Sequence, residues 1–285
     1  MPDLEYMVVD CFTRNPLEGN ALAVFLDGRG LSTELMQKIA KETNLSETTF
    51  ILPGEGKSGA HRVRIFTVDE ELPFAGHPTL GTAEVLRQLH GGTEVTLDLN
   101  VGPVPVRYAE ISGSWFGEMR QRDPEFGQIH DQESVARAAG FSPELIDKRW
   151  PIQTVSTGVP FAIVPIVSVE ALRSLNVVYQ NASAYLSAAD AKFFFFVTHT
   201  PDGLEARMIF YNGEDPATGS AAGCCTAWAV KHGYIAPEQQ VRILQGVMVR
   251  RPSEIFVRAT LDKENVTNVR VGGFCALVAR GHFHF

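Results

Sequence analysis

The chain has 285 residues, of which 45% are hydrophobic and 20% are charged, and its formal net charge is -8 at pH 7. This length can bury one large core or two ordinary ones, and average domain sizes favour two. The densest basic cluster is Arg250-Arg251, far short of a stripe that could follow a phosphate backbone, so we expect no nucleic-acid partner.

The N-terminal residues and the cysteines bear on where the protein works. The start, MPDLEYMVVDCF, goes into a strand-like pattern without a charged-then-apolar leader, and the longest wholly apolar runs are about as long as FFFFV at 193–197. We therefore expect a cytoplasmic protein with no membrane association. The cysteines form no CxxC and no Cys/His ligand spacing, which predicts reduced thiols, no metal site and no disulfide framework.

Short runs rich in β-branched and aromatic residues predict a strand-rich fold. In chain order these runs are YMVVDCF (6–12), ALAVFL (21–26), TTFIL (48–52), HRVRIFTV (61–68), EVTLDL (94–99), PVRYA (105–109), FAIVPIV (161–167), FFFFVTH (193–199), EARMIFYN (205–212), VRILQG (241–246), EIFVRAT (254–260) and CALVARGHFHF (275–285).

Two apolar helices stand out against this background, HPTLGTAEVLRQLH (77–90) and SAAGCCTAWAVKHG (220–233). Each is entered from a Gly-containing turn and is followed by Gly. Weaker helical patterns cover 32–43, 131–139, 168–175 and 183–189.

The two apolar helices belong to a pattern that occurs twice. RIF at 64–66 and MIF at 208–210 each lead through a charged linker into a Gly turn and a helix, and the glycines are 219 − 76 = 143 residues apart, about half the chain. Strand, turn and helix can recur by chance, but the half-length offset favours an internal duplication with a join near 119–132.

If the two halves face each other, two helix N-termini would point at one cleft. Each N-terminus offers unpaired N–H groups and about half a positive charge, which favours a carboxylate or a phosphate. The first half would supply Gly76 and His77, and the second would supply Asp215, Gly219 and Ser220. The small residues of ATGSAAG (217–223) would let a ligand approach the backbone closely.

Five segments in order resemble the PhzF family, named for the phenazine-biosynthesis isomerase: LEGNALAVF, NLSETTF, ELPFAGHPTLGTA, EDPATGSAAG and LQGVMVRRPS. The resemblance implies an α+β fold like that of diaminopimelate epimerase, with two pseudo-symmetric halves that each wrap a barrel-like sheet around a central helix. It implies an N-terminal half of residues 1–118 completed by 276–285, a C-terminal half of 119–275, and an active site between them. It also implies a homodimer.

Three residues would carry the chemistry by this resemblance. Glu47 in NLSETTF would be the catalytic acid/base, and desolvation in a partly dry cleft would raise its pKa; without the resemblance it would be a solvated residue at a strand entry. His77 would contact the ligand through a hydrogen bond. Asp215 would bind the substrate's amine or hydroxyl group, its alternative role being a helix cap, while Glu214 would point outward.

Four residues would hold the substrate by the same resemblance. Gly76, Gly219 and Ser220 would bind its carboxylate through N–H and hydroxyl groups, and Asn20 would order the wall of the cleft unless it serves only the turn. There is no dinucleotide-binding GxGxxG, and GHPTLGT lacks the Lys of a P-loop. We therefore expect no cofactor and a small anionic carboxylate as the substrate.

The first functional hypothesis is a cofactor-independent isomerase that moves a proton between carbons of a dihydro-hydroxyanthranilate-like metabolite. The alternative enzyme is a racemase or epimerase of an amino or hydroxy acid that uses Glu47 and Asp215 as opposed bases. By the resemblance, Ala75 and Asp215 stand where related epimerases carry two thiols, and neither is a thiol. A non-catalytic ligand-binding family member is the third possibility. The short link YNG (211–213) and VRRPS in place of Gly-Arg-Pro-Ser depart from the phenazine enzyme, so the substrate stays open.

Overall fold

The computed structural model describes residues 3–54, 56, 59–210 and 213–284. The chain divides into two compact units: unit 1 consists of Met1–Arg120 with Gly272–Phe285, and unit 2 consists of Gln121–Val271. The division after Arg120 falls inside the segment 119–132 that we expected to join the halves. The expected return of the chain at residue 276 is close to the Gly272 boundary.

Unit 1 contains two helices and a mixed sheet. The helices are α1 (Thr33–Thr43) and α2 (Gly76–His90). Within the described residues the strands are β1 (Asp3–Cys11), β2 (Asn20–Phe25), β3 (Glu47–Leu52), β4 (His61–Phe66), β5 (Glu71–Leu72), β6 (Glu94–Leu99), β7 (Gly102–Ile111), β8 (Ser114–Arg120) and the later part of β17 (Asn265–His284).

The strands of unit 1 close into a ring. The pairing runs β17–β1–β2–β3–β4–β6–β7–β8, with β2–β3 and β4–β6 parallel, and β8 pairs with β17 again. Helix α2 contacts β1, β2, β3, β6, β7 and β8, and it is buried on every side from Gly76 to Leu86. A helix apolar all round its axis is expected to lie inside a core, and α2 is the central helix of this unit.

Unit 2 repeats the arrangement with additional helices. The helices are α3 (Gln132–Ala139), a 3₁₀ turn (Pro143–Leu145), α4 (Val169–Ser174), α5 (Tyr179–Ala188) and α6 (Gly219–Lys231). Within the described residues the strands are β9 (Glu125–His130), β10 (Ile152–Ser156), β11 (Pro160–Pro165), β12 (Phe193–Thr200), β13 (Gly203–Phe210), β14 (Gly213–Glu214), β15 (Val241–Gln245), β16 (Ser253–Asp262) and the first part of β17.

The sheet of unit 2 is covered on both faces. The pairing runs β9–β10–β11–β12–β13–β15–β16, with β11–β12 and β13–β15 parallel. Helix α6 contacts β10, β11, β12 and β16 and is almost wholly buried. Phe194 and Phe196 belong to a separate cluster with residues of α3, α4 and α5, while Phe193 and Phe195 are buried as well. Burial on both faces explains why FFFFV lacks the alternation of a half-exposed strand.

An Arg–Glu pair repeats at the offset that the sequence indicated. Arg64 pairs with Glu71 in unit 1 at 2.5 Å, and Arg207 pairs with Glu214 in unit 2 at 2.8 Å; 207 − 64 and 214 − 71 both equal 143. Each pair joins a long strand to the two-residue strand before the central helix, β4 to β5 and β13 to β14, in the same register. The predicted α+β class with two similar halves is confirmed.

Other expectations need correction. The segment 119–132, where the join was expected, also contains all of strand β9, which was not predicted because its residues are polar. Strands β8 and β10 were not predicted, α5 begins at Tyr179 and not at residue 183, and the last strand begins at Asn265 and not at 275. Residues 211 and 212 of the YNG link lie outside the described residues.

One further expectation concerned membranes. In the part of the chain that the structure describes, no helix combines the length and the apolar character needed to span a bilayer.

Candidate active site

The candidate residues fall into two groups, one in each unit. Unit 1 brings together Glu47, His77 and Asn20, with Gly76 beside His77 in the chain. Unit 2 carries Asp215, Gly219 and Ser220 on one turn and the helix start that follows it.

Glu47 is the first residue of β3, and the local sequence fixes where that strand begins. Helix α1 ends at Asn44, which has the left-handed conformation (φ 52°) that Asn tolerates well. Three residues later the chain enters β3, parallel to β2, with Glu47 opposite Leu22. The Glu47 side chain is only 13% exposed, so the alternative of a solvated strand-entry residue is wrong for its environment.

His77 lies in the first turn of α2 and is 4% exposed. Its Nδ1 is 3.3 Å from Nδ2 of Asn20, the first residue of β2, which is 1% exposed. An amide nitrogen only donates, so Nδ1 of His77 accepts and the ring proton lies on Nε2. Asn20 therefore sets the histidine tautomer, which goes beyond the role of ordering the cleft wall that the sequence predicted.

The Nε2 atom of His77 lies 3.2 Å from Oε2 of Glu47. This distance would suit an ion pair, but burial lowers the pKa of His77 to about 3, so the imidazole is neutral near pH 7. Within the described residues, Nε2 makes no aligned hydrogen bond. The contact is therefore a neutral N–H beside a carboxyl group, with the N–H still able to donate to a third group.

Helix α2 begins without a side-chain cap. Its N-cap residue is Ala75, which makes no side-chain capping bond. The Thr79 hydroxyl instead donates to the carbonyl oxygen of Ala75 at 2.7 Å, and Pro78 has no N–H. The N–H groups of Gly76 and His77 lie at the positive end of the helix, where an anion is stabilised.

In unit 2, Asp215 is held by the turn that precedes α6. Its backbone N–H donates to the carbonyl oxygen of Met208 at 3.0 Å, and its Oδ2 accepts a hydrogen bond from the Thr218 hydroxyl at 2.6 Å. Thr218 is the N-cap residue of α6, and no side-chain capping bond is made there among the described residues. Thr218 and not Asp215 therefore occupies the N-cap position, and the ligand-binding role of Asp215 stays a prediction.

Gln245 holds this turn through three hydrogen bonds, which the sequence did not predict. Gln245 is fully buried; its Oε1 accepts from Thr218 N–H at 3.1 Å, and its Nε2 donates to the Asp215 carbonyl at 2.8 Å and to the Thr218 hydroxyl at 2.9 Å. All of its polar atoms thus hold the turn that presents Asp215. LQG at 244–246 was part of the resemblance, but a Gln at the end of a predicted strand gave no signal of this role.

Gly219 and Ser220 begin α6. Gly219 is buried, and its carbonyl oxygen accepts from Nε2 of Gln121 at 2.9 Å. Ser220 is partly exposed, so its hydroxyl and the first N–H groups of α6 sit at another positive helix end. These residues can bind an anion in the way the sequence predicted, and that role stays a prediction.

Glu214 does not point outward as expected. Its side chain is 8% exposed and makes a forked contact with the Arg207 guanidinium. Arg207 also donates through Nη1 to the carbonyl oxygens of Leu172 and Leu175 at the end of α4. Glu214 therefore has a structural role as the partner of Arg207. Of the two adjacent acids, only Asp215 is suited to bind a ligand.

The thiols in α6 are structural. Cys224 and Cys225 are fully buried, and burial raises the pKa of Cys224 to about 11 and raises the pKa of Cys225 further. Neither is poised as a proton-transferring thiolate. Among the described residues, no group of three or more His, Cys, Asp or Glu side chains could hold a metal ion.

The family model for phenazine biosynthesis-like proteins, PhzC-PhzF, matches residues 9–281. The chain belongs to this family. The trans-2,3-dihydro-3-hydroxyanthranilate isomerase of Pseudomonas chlororaphis is 35% identical over 97% of this chain and 98% of its own length. A structure from Pseudomonas aeruginosa named a predicted epimerase is 36% identical, with a TM-score of 0.86 over 98% of this chain and 99% of that one.

A more distant structure bears on the fold alone. A hydroxyproline epimerase from Agrobacterium vitis is 13% identical, with a TM-score of 0.67 over 99% of this chain and 91% of that one. The predicted diaminopimelate epimerase-like fold is confirmed by these neighbours. With relatives named as isomerases over nearly the whole length, the chain is a PhzF-like isomerase.

Proposed function

We propose that this PhzF-like isomerase works without a cofactor and moves a proton between two carbons of a small carboxylate-bearing metabolite. The proposed substrate class is that of trans-2,3-dihydro-3-hydroxyanthranilate, the compound in the names of several relatives. Such a shift needs one group that can protonate a carbon and accept a proton from another carbon.

The observation that carries the proposal is the contact between Glu47 and neutral His77. A cationic imidazole 3.2 Å from the carboxylate would hold it in the ionised state as an ion pair. The pKa of His77, lowered to about 3 by burial, leaves the ring uncharged. Glu47 can then take both protonation states, as an acid/base that gives and recovers a proton requires.

In this proposal His77 orients the reacting groups. Asn20 holds Nδ1, so Nε2–H is directed to the side of the ring where Glu47 lies. That N–H can donate to the Glu47 carboxyl or to an oxygen of the substrate. Either bond fixes the direction of the proton transfer without adding a charge to the site.

The proposal also names the residues that would bind the substrate's carboxylate and its polar substituent. Two helix starts, at Gly76 in unit 1 and at Gly219 and Ser220 in unit 2, each follow an N-cap residue that makes no side-chain capping bond, and each is suited to a carboxylate. Asp215 is suited to the amine or hydroxyl group. We also propose a homodimer from the family resemblance, which sedimentation velocity would test.

Proton NMR in heavy water tests the function. Protein dialysed against a chelator is mixed with trans-2,3-dihydro-3-hydroxyanthranilate, and we expect a shifted double bond with deuterium on the newly protonated carbon. Deuterium at an existing stereocentre without a double-bond shift would select the racemase or epimerase. Ligand binding without any exchange would select the non-catalytic binder, and both outcomes overturn the proposal.

A further inference from the structure

Two cysteines of unit 1 lie directly opposite each other in the sheet. Cys11, the last residue of β1, pairs with Cys275 of β17 in an antiparallel register. Opposed residues have Cα atoms about 4.5–5.5 Å apart with side chains on the same face. This spacing lies within the range of about 4.4–6.8 Å that a disulfide requires.

The two thiols already interact, and they differ in access. After burial, the proximity of the Cys275 thiol is the next cause that raises the pKa of Cys11. Cys11 is fully buried against helix α2, where a methyl group on Gly81 would be only 2.6 Å from its sulfur, whereas Cys275 is partly exposed. An oxidant arriving from solvent would therefore meet Cys275 first.

We propose that hydroperoxides oxidise Cys11 and Cys275 to a reversible disulfide. This oxidation site lies in unit 1, which also carries Glu47 and His77. In the first step the Cys275 sulfur attacks a peroxide oxygen, the O–O bond breaks, and sulfenic acid and water form with hydrogen peroxide as the oxidant. In the second step the Cys11 sulfur attacks the Cys275 sulfur and a second water leaves with the Cys11 proton. Two thiols are oxidised by two electrons, and one peroxide is reduced to two waters.

The order of these steps follows from the surroundings of Cys11. Burial, and then the neighbouring Cys275 thiol, raise the pKa of the Cys11 thiol, so it is a poor first nucleophile. Cys11 can attack the sulfenic acid of Cys275 only because the two residues lie opposite each other in the sheet. Cys224 and Cys225 are a built-in control: they are equally buried, and adjacent residues of a helix do not face each other.

Disulfide formation would remove one hydrogen bond between Cys11 and His77. The Cys11 thiol donates to the carbonyl oxygen of His77, with Sγ 3.4 Å from that oxygen. The oxidised sulfur carries no proton, so this bond to the first turn of α2 is lost. The inference about the disulfide itself does not depend on the proposed reaction, because its test reads thiols and not turnover.

The experiment treats the native protein with hydrogen peroxide, blocks the remaining thiols with an alkylating reagent in denaturant, and digests the chain without reduction. We expect the four free thiols to fall to two, with Cys11 and Cys275 in one linked peptide and Cys224 and Cys225 alkylated. Dithiothreitol should restore all four. A chain that keeps its thiols, or in which Cys275 reaches the sulfinic state while Cys11 remains alkylated, would overturn the proposal.

Two variants separate the roles of the thiols. In Cys275→Ser, Cys11 should stay reduced under the same treatment, because it is buried and has no partner to resolve. In Cys11→Ser, Cys275 should be oxidised and trapped as sulfenic acid by dimedone. If Cys11 is oxidised equally fast in Cys275→Ser, the assignment of Cys275 as the entry point is wrong.

Discussion

The two units share one scaffold and differ in the residues placed on it. Each has the same pairing order, an Arg–Glu pair at an offset of 143 residues, and a buried central helix after a two-residue strand. Glu47 begins β3, whereas Phe193 begins β12, the matching strand of unit 2. At the same offset, Leu72 matches Asp215. The acid/base candidate therefore exists in one half only.

This asymmetry teaches which chemistry the duplicated scaffold supports. A two-base racemase would be served most simply by equivalent bases at equivalent positions of the repeat. Here His77 matches Ser220, and of the two positions where related epimerases carry thiols, Ala75 has no proton-transferring group. A candidate acid/base in unit 1, with the acid of unit 2 proposed to bind the ligand, agrees better with one group that gives and recovers a proton.

The largest expected effect separates the two acids. Glu47→Gln keeps the shape but cannot accept a proton, so we expect kcat on trans-2,3-dihydro-3-hydroxyanthranilate to fall by about 10²–10⁴ with little change in affinity. Asp215→Asn should weaken binding as well as rate, because its charge is assigned to the substrate's amine or hydroxyl. Steady-state kinetics and calorimetric titration measure both.

Glu42→Gln is the matched control for Glu47, because it makes the same replacement at an exposed position of α1. It should behave as the wild type. Wild-type turnover in Glu47→Gln would show that the acid is dispensable and that the proposed mechanism is wrong.

The repeated Arg–Glu pairs should differ in their contribution to stability. Removing one partner of a buried ion pair lowers the free energy of unfolding by about 3–5 kcal/mol. The side chains of Arg207 and Glu214 are only 10% and 8% exposed, so Arg207→Met should have an effect of this size. Arg64 and Glu71 are 17% and 22% exposed, so Arg64→Met should cost only about 1–3 kcal/mol. Urea unfolding of Arg207→Met and Arg64→Met compares them, and equal losses would contradict the difference in burial.

The lowered pKa of His77 predicts that the stability of the protein depends on pH. Unfolded His77 takes a proton below about pH 6.5, whereas in the folded chain its pKa is about 3. Stability therefore falls as the pH drops through this window, by about 1.4 kcal/mol per unit well below pH 6.5. His77→Gln has no such group, so the difference in unfolding free energy between wild type and variant should shift by about 2–3 kcal/mol from pH 6 to pH 4. A pH-independent difference would mean that His77 titrates normally.

The smallest expected effect tests the turn of unit 2. Gln245→Leu leaves the Asp215 carbonyl and the Thr218 N–H without the partners they have now. Unmet buried hydrogen bonds cost about 1–3 kcal/mol, so kcat/KM should fall by about 10–100-fold, mainly through KM. Gln240→Leu, at an exposed position, is the control. A loss confined to thermal stability would make Gln245 a purely structural residue.

The sequence predicted those parts of the fold that depend on local patterns. The central helices were placed within one or two residues, because their apolar runs and flanking glycines are strong signals, and the offset of 143 revealed the repeat. Strand β9 was missed because EFGQIH is too polar to read as a strand. Asn20, His77 and Glu47 could be named, but the tautomer and the neutral state of His77 depend on burial, which only the folded chain defines.

Strand β17 has a consequence for the order in which the chain folds during synthesis. Residues 3–11 of β1 pair with residues near the C-terminus, from Cys275 to His284. The ring of unit 1 therefore cannot close until residues 275–284 have left the ribosome. Unit 2, Gln121–Val271, is contiguous in sequence and is complete earlier. The half that carries Glu47 and His77 is thus the last to acquire its structure, and one edge of β1 stays open until then.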